Sequence, residues 1–369
     1  MAPPIVDPSL ADLKSLVLSK CPQIDKSWLD FEAAKSAAAA SSEKQTAKER
    51  KSHVSTKAKV KQEKYAKECR LLNQSMIGPG APFAELAHGI RINELSATSS
   101  RDGANVPIIR YSRVKDAGLD PDVVVVYYHG GGLWVGEADS EELSCRKLVM
   151  SGSNYAVYSV GYRLLPDYAG SVCLSDAIDA WNHVLEWVGS KPKVIIVGSS
   201  SGGELASLVA QEAVRKSLKA KVPVPFCGAM LRCPVTSDVW SGPDFVPERV
   251  RMLHTTAKPD FYTSIVSDMK RTVPRDGLEK MPLEAAPEIL QNMPPTWLQL
   301  STNDVLYSDG LCYAALLRME GRRVAMDIVH NFPHTFWLLA PHLPRAATAD
   351  KAMLEGLEWL LAQTPPPRG

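Results

Sequence analysis

No stretch of eighteen consecutive apolar residues occurs in the 369-residue chain, which argues against a membrane-spanning helix. The segment Met1 to Lys20 has no basic start followed by an unbroken apolar core, since Asp7 and Asp12 interrupt it, so no secretory leader is read there. Charge of one sign is also missing, because 42 Lys and Arg stand against 41 Asp and Glu, a net charge of +1. That balance gives no general attraction to nucleic acid. The cysteines (Cys21, Cys69, Cys145, Cys173, Cys227, Cys233 and Cys312) are odd in number, scattered and without a C-x-x-C pair, which suits reduced thiols better than a disulfide framework. These absences together describe a cytoplasmic protein acting on small, weakly charged molecules. Stable membrane insertion and nucleic-acid binding are not expected, a homodimer is compatible with the composition, and no cofactor is called for. The Asn73-Gln74-Ser75 sequon carries no weight without entry into a secretory route.

What is present begins with helical spacing over residues 9–76, through Leu10, Leu13, Leu16 and Val17, an Ala-rich stretch at Ala37 to Ala40, and a charged run that Gly78-Pro79-Gly80 ends. Between Glu43 and Arg70 lie ten Lys or Arg against four Glu. Its apolar residues (Val60, Tyr65, Ala66, Cys69) are few, so a solvated face is favoured over an anionic membrane surface. From Gly89 to Arg113 apolar and polar residues alternate about Asp102-Gly103, which predicts a hairpin at a sheet edge.

Short unbroken apolar runs follow at Val123 to Tyr128, Tyr155 to Val160, Val194 to Val197, Phe226 to Leu231, Trp297 to Leu300 and Val324 to Val329, and they read as strands buried on both faces. Helical patterns separate them at Glu141 to Met150, Cys173 to Val188, Gly203 to Leu218, Leu311 to Met319 and Ala347 to Leu361. Alternation of this kind predicts an α/β protein with a mostly parallel central sheet flanked by helices. Residues 235–293, rich in proline, charge and aromatics, interrupt it. The expected organisation is a helical N-terminal extension over 1–80 that shares in a cap, a first core part over 81–234, a lid insertion over 235–293 and a second core part over 294–369.

The chemistry is concentrated in two glycine motifs. Val194 to Gly203 places G-x-S-x-G after a buried strand and before a helical pattern, the context of a nucleophile elbow centred on Ser200. Gly198 and Gly202 would keep side chains out of a sharp turn; a phosphate-cradling turn is the alternative for this motif alone. Upstream, His129-Gly130-Gly131-Gly132 closes another buried strand, and the amides of Gly131, Gly132 and Ser201 are the expected donors to a substrate oxyanion. His129 itself reads as structural.

With these blocks and Tyr162-Arg163-Leu164-Leu165-Pro166 between them, Asp176-Ala177 after them, and Asp304-Val305-Leu306-Tyr307-Ser308-Asp309 further on, the chain resembles the hormone-sensitive lipase-like esterases of the α/β-hydrolase fold. The resemblance runs from about Val123 to Phe336 outside the lid. It departs at Ser199 and Ser201, where the family usually has Asp or Thr before the nucleophile and Ala after it. It implies a Ser200, Asp304, His334 triad, with His334-Thr335-Phe336 as the H-x-F block. His330 is then a pocket-wall or structural residue. Asp309 and Asp327 are rival acids, Asp309 being explained by helix capping. A metal pair at His330 and His334 is opposed by Pro333, and no metal is expected.

A carboxylic ester of a small molecule is the expected substrate. A lactone, amide or thioester, acyl transfer or cyclisation, and a receptor that only binds remain alternatives. The long N-terminal extension points to a specialised, secondary-metabolite role. Trp134, Phe245, Phe261, Tyr262, His330 and Trp337 are the candidate substrate-pocket residues.

Overall fold

A computed structural model describes residues 4–46, 57–261 and 273–363. The chain opens with a short strand, β1 (Ile5–Val6), and three helices, α1 (Leu10–Ser15), α2 (Lys26–Thr46) and α3 (Lys57–Ile77). The expected continuous helical region is therefore broken. Residues 17–25, with Pro22 among them, connect α1 to α2 without helix, and a proline cannot donate to a helical ladder.

The alternating region forms β2 (Ile90–Thr98) and β3 (Asn105–Arg113), paired antiparallel in the register Ile92↔Tyr111, with Asp102-Gly103 in the connecting turn. Then come β4 (Val123–Tyr128), α4 (Glu142–Met150), β5 (Tyr155–Val160), α5 (Gly170–Val188), β6 (Lys193–Ser199), α6 (Ser201–Ala220) and β7 (Gly228–Arg232). Short helical turns occupy the described part of the expected lid, among them α7 (Glu248–Arg251) and α8 (Pro287–Gln291). The chain ends with β8 (Thr296–Asn303), α9 (Tyr307–Met319), β9 (Val324–Pro333), α10 (Phe336–Leu339) and α11 (Pro344–Ala362).

Nine strands form one sheet in the order β1-β9-β8-β7-β6-β4-β5-β3-β2. From β9 to β5 all neighbours run parallel, while β1 on one edge and the β3-β2 hairpin on the other are antiparallel. The β4 strand shows why continuous apolar runs were needed: all six of its residues are buried. Val124, Val126 and Tyr128 enter one core with α5, α6 and α9, and Val125 and Tyr127 enter the other with α4 and α11. Successive side chains of a strand point to opposite faces, so a strand covered on both sides must be apolar throughout. The parallel strands end together on one edge of this layer, where ligands of open α/β sheets bind.

Candidate active site

Ser200 stands between β6 and α6 with φ 53° and ψ −123°, a left-side conformation that a residue with a Cβ rarely adopts. Backbone on both sides holds it there: its N–H donates to the carbonyl of Arg232 at 2.9 Å, and its carbonyl accepts from the N–H of Val235 at 3.1 Å. The flanking glycines are required by contact. A Cβ on Gly198 would lie 2.2 Å from the carbonyl oxygen of Gly202, and one on Gly202 would lie 2.0 Å from that of Tyr128. The elbow is therefore a tight crossing of three backbones, with Ser200 at its crest and 6% exposed.

His334 follows the end of β9. Its Nε2 is 2.8 Å from Ser200 Oγ and its Nδ1 is 2.7 Å from Asp304 Oδ2. With the proton on Nδ1, the ring donates to Asp304 and accepts from the Ser200 hydroxyl, the tautomer a general base needs. Asp304 is fixed in turn by the N–H of Leu306, which donates to its Oδ1 at 2.9 Å. Burial opposes charge on His334, but the adjacent Asp304 carboxylate and its hydrogen bond, with Cys233 beside the ring, outweigh it and raise the imidazole above its ordinary range.

The rival acids lie elsewhere. Asp309 accepts from the amides of Thr236 and Ser237, from the Ser237 hydroxyl and from His254 Nε2 at 2.6 Å, so it fastens the chain after β7 to the start of α9. Asp327 accepts from Gln299 Nε2 at 2.8 Å.

The expected oxyanion loop packs directly on the elbow. Gly131 has φ 124° and turns the chain so that the N–H groups of Trp134 and Val135 both donate to its carbonyl; a Cβ there would meet the carbonyl of Val135 at 2.0 Å. Gly132 follows at φ 66°. Ser201 is the first residue of the twenty-residue α6, so its amide lies at a helix N-terminus, where partial positive charge collects. His129 is fully buried and stacks on Tyr162 with ring centroids 4.3 Å apart, and burial holds its pKa below the ordinary imidazole range. The Tyr162 hydroxyl donates to the His129 carbonyl at 2.6 Å, which ties the second sequence block to the first.

The candidate pocket residues scatter. Trp134 is half-buried against the main core beside the oxyanion loop. Phe245 is half-buried with the Arg275 guanidinium 4.8 Å from its ring, and Phe261 is buried among Leu208, Met281, Val305 and Leu306. Tyr262 lies outside the described residues. His330 was expected in a loop after the last strand but sits inside β9, which runs on to Pro333, and it is exposed. Trp337 is 2% exposed with the Arg232 guanidinium 3.9 Å from its ring, a position in the core of the molecule and not on an open wall.

Two neighbours of the site went unread in the sequence. Cys233, which takes φ 45° just after β7, brings its thiol within 4.8 Å of ligand atoms of both Asp304 and His334. Glu141, 3% exposed, lies beneath the oxyanion loop. A lone cysteine after a strand and a glutamate at a helix start look like ordinary residues, so no local pattern could have flagged either.

Residues 125–338 match the model of a family described by the alpha/beta hydrolase fold. The chain belongs to this family. It is the hormone-sensitive lipase-like group that the motifs resemble. An ethyl acetate hydrolase of Pseudomonas putida is 27% identical over 276 residues, covering 72% of this chain and 82% of its own. A versiconal hemiacetal acetate esterase of Dothistroma septosporum is 27% identical over 255 residues, covering 64% and 72%. Among solved structures, vibralactone cyclase shares the fold with a TM-score of 0.71 at 18% identity, over 95% of this chain and 98% of that one. The relatives of this chain thus include carboxylic ester hydrolases. Among the described residues no helix is long and apolar enough to cross a membrane.

Proposed function

We propose that the chain hydrolyses carboxylic esters of small molecules through an acyl-enzyme formed on Ser200. The observation that carries this reading is the continuous hydrogen-bonded series from Asp304 through His334 to the Ser200 hydroxyl, with each distance between 2.7 and 2.8 Å, at an elbow facing the Gly131-Gly132 loop. His334 takes the Ser200 proton as Oγ attacks the ester carbonyl. The amides of Gly131, Gly132 and Ser201 receive the oxyanion, and His334 returns the proton to the leaving alcohol. Water, deprotonated by the same imidazole, then releases the acid and regenerates Ser200. Asp304 keeps the ring in the productive tautomer and stabilises its charged form.

The substrate reading is a short acyl group, which the two relatives named for acetate esters support. Residues 1–80 and 235–293 form the cap in this proposal. It is supported by α3, whose Gln62 Nε2 donates to the Leu165 carbonyl at 2.9 Å, while the Leu165 N–H donates to the carbonyl of Leu133 beside the glycine loop at 2.8 Å. A panel of p-nitrophenyl esters from acetate to octanoate tests it: turnover should be greatest for the short acyl chains and fall by at least about 10³ in Ser200→Ala. Turnover that is flat across the panel, or unchanged in that variant, would overturn the reading.

A further inference from the structure

The two serines that flank Ser200 are the departures from the family pattern, and both are linked to the oxyanion loop, Ser201 directly and Ser199 through Glu141. On one side, Glu141 Oε1 accepts from the Ser199 hydroxyl at 2.5 Å and from the N–H of Gly130 at 2.7 Å, while its Oε2 accepts from the Tyr127 hydroxyl at 2.5 Å. On the other, Ser201 Oγ accepts from the N–H of Leu133 at 3.2 Å. Gly131 and Gly132 lie between the two tied residues, Gly130 and Leu133. The loop is thus pinned at both ends to the residues on either side of the nucleophile. It is also packed close, since a Cβ on Gly130 would meet Ser199 and Ser200 atoms at 3.2 Å.

We propose that Glu141 is a positioning residue for the reaction, and that with Ser199 and Ser201 it sets the Gly131 and Gly132 amides at the height of the developing oxyanion. A glycine loop has little stiffness of its own, because glycine resists few backbone conformations. Oxyanion stabilisation requires donors held within a few tenths of an ångström of a position occupied only in the transition state. One carboxylate oxygen that takes both the Gly130 N–H and the Ser199 hydroxyl fixes that spacing directly. The Tyr127 hydroxyl, from the middle of the sheet, fixes the carboxylate.

The clamp is itself held from outside. Arg70 of α3 donates to Glu137 Oε2 at 2.5 Å and to Asp139 Oδ2 at 3.2 Å, and Asn73 Nδ2 donates to the carbonyl of Asp139 at 3.2 Å. Residues 137–140 lead straight into Glu141. Helix α3, which precedes the family-matched region, therefore bears on the oxyanion loop through this segment.

The inference rests on Ser200 being the nucleophile, and the test separates the two. Wild type, Glu141→Ala, Glu141→Gln and Ser201→Ala would each be assayed for kcat and KM on p-nitrophenyl acetate. Affinity for phenylboronic acid, which forms a tetrahedral anionic adduct on a serine, and labelling by a fluorophosphonate would be measured beside them. Glu141→Ala should lose about 10- to 100-fold in kcat with KM changed less than about threefold, and boronate affinity should fall in parallel with kcat. Glu141→Gln keeps an acceptor oxygen and should recover most of that loss, and Ser201→Ala, whose backbone amide is intact, should show a smaller loss of the same kind. If Glu141→Ala does not fold, the other two variants carry the test. Boronate affinity and kcat unchanged in Glu141→Ala or, failing that, in Ser201→Ala would overturn the proposal. So would a kcat in Glu141→Gln as low as in Glu141→Ala. Failure of wild type to label at Ser200 would instead overturn the nucleophile assignment.

Discussion

At the scale of single residues the site turns on His334, whose imidazole must be neutral to accept the Ser200 proton. Its pKa is raised above the ordinary 6.5 chiefly by the charge of Asp304 against the opposing effect of burial. A raised pKa means that the protonated, inactive form persists to higher pH. The acid limb of kcat/KM for an uncharged ester should accordingly lie above pH 6.5, with activity rising as pH rises through it. Asp304→Asn removes the charge, so the limb should move to lower pH while the plateau falls by roughly 10³ to 10⁴. A limb that stays in place in Asp304→Asn would show that another carboxylate governs the ring. Residue identity at the elbow is equally constrained: Gly202→Ala places a methyl 2.0 Å from the Tyr128 carbonyl, and it should yield a chain that unfolds at markedly lower temperature or fails to accumulate.

At the scale of elements, much was legible because each block is written locally. A β-rich run followed by G-x-S-x-G encodes strand, elbow and helix in one stretch, and β6, Ser200 and α6 appear where that stretch puts them. The hairpin about Asp102-Gly103 and its edge position were legible for the same reason, since alternation marks a strand with one face covered. What failed did so because the deciding partner is distant in sequence. His330 looked like a loop residue after an apolar run that ends at Val329, yet β9 continues to Pro333, where it pairs with Asn303 of β8 beyond a register shift. Glu141 acquires its partners only when β4, α4 and β6 are brought together, and a glutamate at a helix start is otherwise explained by the helix dipole. Trp337, a candidate pocket residue, lies buried with its ring against the Arg232 guanidinium, a contact that pairs positions more than a hundred residues apart. Near it, Trp28 of α2 is 1% exposed within a cluster that includes Phe332, Phe336 and Trp337, immediately around His334. Trp28→Ala should therefore cost about 3 to 5 kcal/mol in urea unfolding. A change below about 1 kcal/mol would mean that α2 is not part of the packed core.

At the scale of the whole molecule, the sheet brings Ser200, Asp304 and His334 together from separate stretches, and the N-terminal segment is bonded to residues beside them. Residues 5–6 pair with β9, the Asp25 amide donates to the Asn331 carbonyl, Tyr307 Oη donates to the Leu16 carbonyl, and Asn303 Nδ2 donates to that of Pro22. Asn303, Tyr307 and Asn331 all flank Asp304 or His334. Removing residues 1–31 should lower Tm by on the order of 10 °C and reduce kcat, because Leu13 and Trp28 leave the core and the supports of both side chains go with them. Unchanged stability and turnover in the shortened chain would show that the segment is only an appendage. The central claim is that ester cleavage proceeds through an acyl group carried on Ser200, and the most direct measurement is intact and peptide mass of the protein quenched during turnover of p-nitrophenyl acetate. The account predicts a 42 Da gain (one acetyl group for one hydrogen) on the peptide containing Ser200, and none in Ser200→Ala. An acetyl group on another residue, or steady turnover in Ser200→Ala, would contradict it.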